Sequence, residues 1–120
     1  MIANLLTYPG REVIPRIIDN DVYFIIPIVS FTVERKSNLF KLLTSPLVSH
    51  ILGIDFKWHG SYLESVPSLE ALVQERFQTP HVGIIYHVNR HEPDVAMDAL
   101  EVNPGDEVEL AYINRDWEKK

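Results

Sequence analysis

Gly83-Ile84-Ile85-Tyr86-His87-Val88-Asn89 is followed, across an acidic connection, by Asn103-Pro104-Gly105-Asp106 and a second apolar run, residues 108–113. The first run has the length and the branched and aromatic content of a strand. In the second, Pro and Gly occupy the two central positions of a type II turn, which would launch the last strand and fix its register. The reading is of a small sheet whose final strand is set by that turn. It specifies an architecture before any chemistry.

The same reading extends upstream. Tyr8-Pro9-Gly10-Arg11 has Pro and Gly placed for another type II turn, between short strands at 5–7 and 12–18, and Asp19-Asn20-Asp21 marks the next reversal. Residues 22–33 form the most apolar run, with Val22-Tyr23-Phe24-Ile25-Ile26 apolar on both faces, as expected of a central strand. Pro27 cannot donate to a ladder, so the strand should bend or divide there. From Ser30 strict alternation resumes and predicts a half-exposed segment. Ser37 is the expected N-cap of a helix carrying Leu39, Phe40, Leu42 and Leu43 on one stripe, interrupted by Pro46. A second short helix should follow with Leu47, Val48, Ile51 and Leu52, closed by Gly53. Residues 54–58 alternate as a strand. A further helix opens at Pro67 or Ser68, repeats Leu69, Leu72, Val73 and Phe77 at helical spacing, and stops at Thr79-Pro80.

Composition bounds the class of protein. A chain of 120 residues, 46% hydrophobic, supports one core and one domain. With 11 Lys and Arg against 17 Asp and Glu, the net charge of −6 repels a phosphate backbone, so no nucleic-acid partner is expected. The absence of cysteine excludes disulfides, thiolate metal sites and thiol nucleophiles. The first residues lack the pattern of a signal peptide, and no apolar run approaches the roughly 18 residues of a membrane span, so a soluble, cytoplasmic protein is expected.

Gly83-x-x-Tyr86-x-Val88-Asn89, followed by Val102-x-Pro104-Gly105-Asp106-x-Val108, resembles the end of the β-grasp domain at the carboxy terminus of transcobalamin and intrinsic factor, related to bacterial domains of unassigned function. Phe31-Thr32-Val33, the helix at 39–43 and the segment from Gly60 to Val66 resemble the same family's strand, helix and third strand. The resemblance covers about residues 22–113. It implies an α+β fold: a single β-grasp-like domain with a mixed sheet and helices packed on one face, residues 1–21 an N-terminal extension and 114–120 a charged tail. It also implies binding, with cobalamin as the ligand of the relatives. Ubiquitin-like sulfur carriers resemble the chain in the Pro-Gly-Asp-x-Val turn, but they need a C-terminal Gly-Gly, and this sequence ends Trp117-Glu118-Lys119-Lys120.

Among individual residues the histidines invite a catalytic reading. On a strand at 81–88, Val82, Ile84, Tyr86 and Val88 share one face, expected to meet the core, while His81, Gly83, Ile85 and His87 share the other. His81 and His87 would lie about 20 Å apart at strand rise, too far for one metal. A metal site would need His87 with His91 or His59 and the carboxylates Glu92 or Asp94. Solvated surface imidazoles are the plainer expectation for all five histidines, and no metal is expected. The acidic stretch from Glu92 to Asn114, with seven carboxylates and no Lys or Arg, is either a partner surface or, as is commoner, a solvated loop. Trp58 and Tyr62 near a sheet edge could stack on a flat ligand, although ordinary core or rim packing is the favoured reading of Trp58, and Trp117 in the charged tail is the better interface candidate.

These features define three classes of function. A non-catalytic binding or interaction module, holding a small molecule or protein partner at Trp58, Tyr62, His87 or Trp117, is favoured by the absence of catalytic motifs. A subunit of a homo-oligomer or of a viral or phage assembly is the first alternative, because residues 23–29 carry more apolar surface than one small core needs. A small His-dependent metal enzyme built on His87, His91 and Glu92 is the second.

Overall fold

The computed structural model describes residues 2–8, 12–46, 50, 51 and 53–114. Its centre is β3 (Asp21–Val33), a 13-residue strand long enough to serve several partners. One edge of β3 pairs with β1 (Ile2–Thr7) along its C-terminal half and with β2 (Ile14–Ile18) along its N-terminal half. The other edge pairs with β9 (Glu107–Ile113), which pairs in turn with β7 (Gly83–Val88). The five strands run in the order β1-β3-β9-β7, with β2 beside β3. Two small ladders join the main sheet among the described residues: β4 (Ser37–Asn38) with β8 (Glu101–Val102), and β5 (Lys57–His59) with β6 (Tyr62–Ser65). Two α-helices lie wholly within the described residues, α1 (Leu39–Thr44) and α2 (Pro67–Phe77). The domain is therefore α+β, but every ladder among the described residues is antiparallel, which corrects the expected mixed sheet. The region expected as an N-terminal strand-and-turn extension supplies β1 and β2, both paired with β3 in the main sheet.

Several turns follow the sequence closely. Asp106 N–H donates to Asn103 O at 3.0 Å, and Gly105 between them has φ +91°, the positive angle that position i+2 of a type II turn demands. Asp19 and Asn20 carry φ +53° and +69°, making a two-residue turn that matches strand twist, and Asn89 and Arg90 do the same at +51° and +65°. Pro67 stands at the start of α2, and Gln78 ends it in the left-handed conformation. The cap of α1 is Asn38 in place of the expected Ser37, its side chain accepting from Lys41 N–H. The Pro9-Gly10 turn, most of the second helix (Leu47, Val48, Leu52) and Trp117 with the charged tail lie outside the described residues.

Pro27 marks the bend. Pro27 pairs with Ala111 and Val29 with Leu110, leaving Ile28 as an extra residue in the ladder. Such a bulge inverts the alternation. Ile26 before it and Val29, Phe31 and Val33 after it all face the helices, where they join Leu39, Leu43, Val73, Phe77, Leu110 and Tyr112 in the main core. Ser30 and Thr32 fall on the other face. That face is covered as well, because the β2–β3 hairpin folds back across it. Asp19 N–H in the hairpin turn donates to Arg90 O at the far end of β7, and Ile18 packs with Ile25, Ile85, Ala111 and Ile113 in a second, smaller core.

Tyr112 ties the sheet to α2. Its hydroxyl accepts from the buried Val66 N–H at 2.7 Å and donates to Glu70, which lies in the first helical turn where a carboxylate is favoured. Burial, with the Glu70 carboxylate adding to it, pushes this phenol far above the ordinary tyrosine range and keeps it a donor. Tyr112→Phe keeps the shape but strips the Val66 N–H of its acceptor. A loss of about 1–3 kcal/mol is expected, read as a lower urea midpoint at unchanged slope. An unaltered midpoint would contradict the role given to this hydroxyl.

Candidate functional site

The second face of the sheet carries a polar constellation beside its small apolar core. Directly paired residues share a face, and the register aligns Ser30, Glu109 and His87 across three strands. The alternation from Ile14 and Ile18 turns Arg16 inward from the covering hairpin, and Tyr8 follows β1 onto the same side. Four donors converge on Glu109. Oε1 accepts from Arg16 Nε at 2.8 Å and from His87 Nε2 at 2.9 Å. Oε2 accepts from Arg16 Nη2 at 2.9 Å and from the Tyr8 hydroxyl at 3.0 Å. The arginine contact is bidentate, the strongest geometry available to a carboxylate.

Burial alone would raise the Glu109 carboxyl, but hydrogen bonds from His87 and Arg16 and the charge of Arg16 outweigh it and hold the group below the usual carboxylate range. Burial raises the Tyr8 phenol, with the neighbouring carboxylate acting in the same direction. A carboxylate only accepts, so His87 presents a protonated Nε2 to it, and in the tautomer whose single proton is on Nε2 the other nitrogen, Nδ1, is an acceptor. His87 is 4% exposed, and its Nδ1 is the one buried side-chain polar atom among the described residues without a hydrogen-bond partner.

These groups line a pocket of about 110 Å³, bounded by Tyr8, Arg16, Ser30, His87, Glu109 and, towards solvent, Arg90 and Glu107. The turn of the covering hairpin is clasped close by. Asp19 accepts from Glu92 N–H at 2.9 Å and contacts His91 Nδ1 at 2.6 Å. The Glu92 amide, then the His91 contact, lower the Asp19 carboxyl from its ordinary value.

The residues expected from sequence are dispersed. His87 is on the face anticipated for it but is buried, not solvated, because the β2–β3 hairpin lies over that face. His50, His59, His81 and His91 are exposed. His87 engages Glu109 and His91 engages Asp19, so the metal set His87, His91 and Glu92 does not assemble. Among the described residues no group of three or more His, Asp or Glu could hold a metal ion. Trp58 packs on the main core, edge-to-face with Phe40 at 5.0 Å between ring centroids, as ordinary packing requires. Tyr62 points away from Trp58, since Trp58 pairs with Leu63 and Tyr62 with His59. It overhangs a separate apolar pocket of about 150 Å³ with Leu63, Ile84, Tyr86, Ala96 and Met97, on the opposite face of the sheet from His87. The surplus apolar surface is not at 23–29, of which residues 25–29 are buried. Large apolar side chains are instead exposed at Leu6, Ile51, Tyr62 and Val95 and, paired on the outside of the hairpin, at Ile17 and Val22, by 55% and 53%.

Tyr8, Arg16 and Glu109 went unmarked in sequence. The available signal was a charge inside each of two apolar strands: Arg16 among Ile14, Ile17 and Ile18, and Glu109 between Val108 and Leu110. Charges of opposite sign in such settings are costly to bury unless they meet.

Comparison with family models, with curated proteins and with solved structures finds no match to this chain.

Glu109→Gln removes the charge that Arg16 requires. A loss of about 3 kcal/mol is expected, the low end for breaking a buried pair, because a fifth of the Arg16 side chain remains in water. A depressed carboxyl stabilises the fold above its unfolded value and loses that contribution as pH falls through its folded value. The wild type should therefore lose stability as pH drops below the ordinary 4.5, and Glu109→Gln should lose less over the same interval. Parallel acid limbs in urea titrations of the two proteins would contradict the assignment.

Proposed function

We propose that the protein is a non-catalytic binding module that holds a small polar molecule in the pocket between Tyr8, Arg16, Ser30 and His87. The observation that carries this reading is the unpartnered Nδ1 of His87. A buried acceptor without a hydrogen bond costs about 1–3 kcal/mol, and a bound donor would relieve that cost. The rest of the pocket is preorganised. Glu109 is saturated by its four donors, which fixes the imidazole and guanidinium planes before any ligand arrives, so little ordering entropy is spent on binding. Most of the lining, Arg16, Ser30, His87, Glu107 and Glu109, sits on strands, with Tyr8 just past β1 and Arg90 in the turn after β7, which favours a defined geometry over an adaptable one.

The volume favours a ligand of few atoms: a cavity of about 150 Å³ accommodates benzene, and this one measures about 110 Å³. A corrinoid is far too large for it, so the reading stands on the pocket alone and takes nothing from the β-grasp resemblance. Tyr62 and its apolar pocket remain available for a contact on the other face, independent of this site.

Saturation-transfer NMR on the low-molecular-weight extract of the protein's own source tests the reading. Ser30→Leu, which puts a larger apolar side chain into the pocket beside Glu109, serves as the control once its urea midpoint shows that the fold is kept. Transfer to one or a few small polar solutes with the wild type, abolished by Ser30→Leu, is the expected result. Equal transfer with both proteins, or none with either, would overturn it.

A further inference from the structure

The charges around the pocket specify its ligand more closely. Arg16 and Glu109 are committed to each other, so they cancel. Arg90 and Glu107 remain at the mouth, one cation and one anion. Arg90 engages the protein through its carbonyl, which accepts from Asp19, and Glu107 through its backbone, bonded to Asn89. Neither side chain makes a hydrogen bond or ion pair among the described residues. The pocket thus offers one uncommitted guanidinium, one uncommitted carboxylate and one acceptor nitrogen, His87 Nδ1.

Resting on the binding reading above, we propose that the pocket takes a small zwitterion of α-amino-acid size, its carboxylate on Arg90 and its ammonium shared between Glu107 and His87 Nδ1. The ammonium has three protons to donate and the carboxylate only accepts, so each ligand group meets its complement. A phosphate or dicarboxylate would face Glu107 and Glu109 with no cation in excess. A simple amine would leave Arg90 unanswered and bring a second positive charge beside it. The volume suits the five or six heavy atoms of glycine or alanine, given that about 150 Å³ holds the six of benzene.

The test is a ¹H–¹⁵N NMR titration of the full chain with glycine, alanine, acetate and methylammonium. Glycine and alanine are expected to shift the amides of His87, Arg90, Glu107 and Glu109 saturably. Acetate and methylammonium should each bind at least about tenfold more weakly, since each forgoes a charge-assisted hydrogen bond. Arg90→Asn, which tolerates the positive φ of that turn, and Glu107→Gln should each weaken glycine about tenfold, the same loss of one charge-assisted bond. Acetate binding as tightly as glycine, or Glu107→Gln leaving glycine affinity unchanged, would overturn the zwitterion while leaving a binding pocket in place. Silence of the pocket amides to all four probes would also overturn it, and the extract experiment then decides separately whether the pocket binds any small polar molecule.

Discussion

A carboxylate can sit on the covered face of a sheet only if its acceptor positions are filled, and the arrangement around Glu109 meets that demand. Arg16 supplies two donors, Tyr8 and His87 one each. The donors come from β2, from the end of β1 and from β7, so one side chain on β9 gathers elements that are far apart in sequence. Isolated in an apolar setting, the charge would carry a desolvation penalty of several kcal/mol. Paired and hydrogen-bonded in this way, it is held ionised, and its presence dictates where the hairpin bearing Arg16 must lie.

That hairpin gives the molecule its second face. An antiparallel sheet with helices on one side normally leaves the other to water. Here the bulge at Pro27 and Ile28 bends β3, the hairpin folds back, and Ile18 closes on Ile85, Ala111 and Ile113. The cover is partial, with an apolar half where the isoleucines meet and a polar half where Arg16 reaches Glu109. The pocket is the space left in the polar half. Its contents follow from alternation: the odd-numbered positions of β7 and β9 supply Ile85, His87, Glu109 and Ala111 to this side, while their neighbours Ile84, Tyr86, Leu110 and Tyr112 serve the main core.

Much of the frame was legible in the sequence, because local rules dominate it. The Asn103 to Asp106 turn, the reversal at Asp19, the helix opening at Pro67 and the interruption at Pro27 each rest on the chemistry of one or two residues, and the structure has all four. The alternation at 82–88 also assigned Val82, Ile84, Tyr86 and Val88 to the core face. Strand direction and partner are not legible, since nothing local states that β9 runs antiparallel to β3, and the mixed sheet that the β-grasp resemblance implies is not the one that forms. The site was less legible still. Alternation puts His87 on the correct face, but its burial depends on a hairpin some seventy residues earlier folding over it, which no local pattern states. Arg16, Tyr8 and Glu109 are brought together by that same long-range event, and only the oddity of a charge within an apolar strand hinted at it.

The structure has Glu109 fixing the His87 ring with Nδ1 facing no protein partner, and the proposed binding requires that this nitrogen be an acceptor. Long-range ¹H–¹⁵N correlation of the His87 side chain tests this most directly, because the two ring nitrogens report protonation separately. The account predicts a neutral imidazole protonated at Nε2, with the Nδ1 resonance at the position of an unprotonated nitrogen. A proton on Nδ1, in either the neutral or the charged ring, would contradict it.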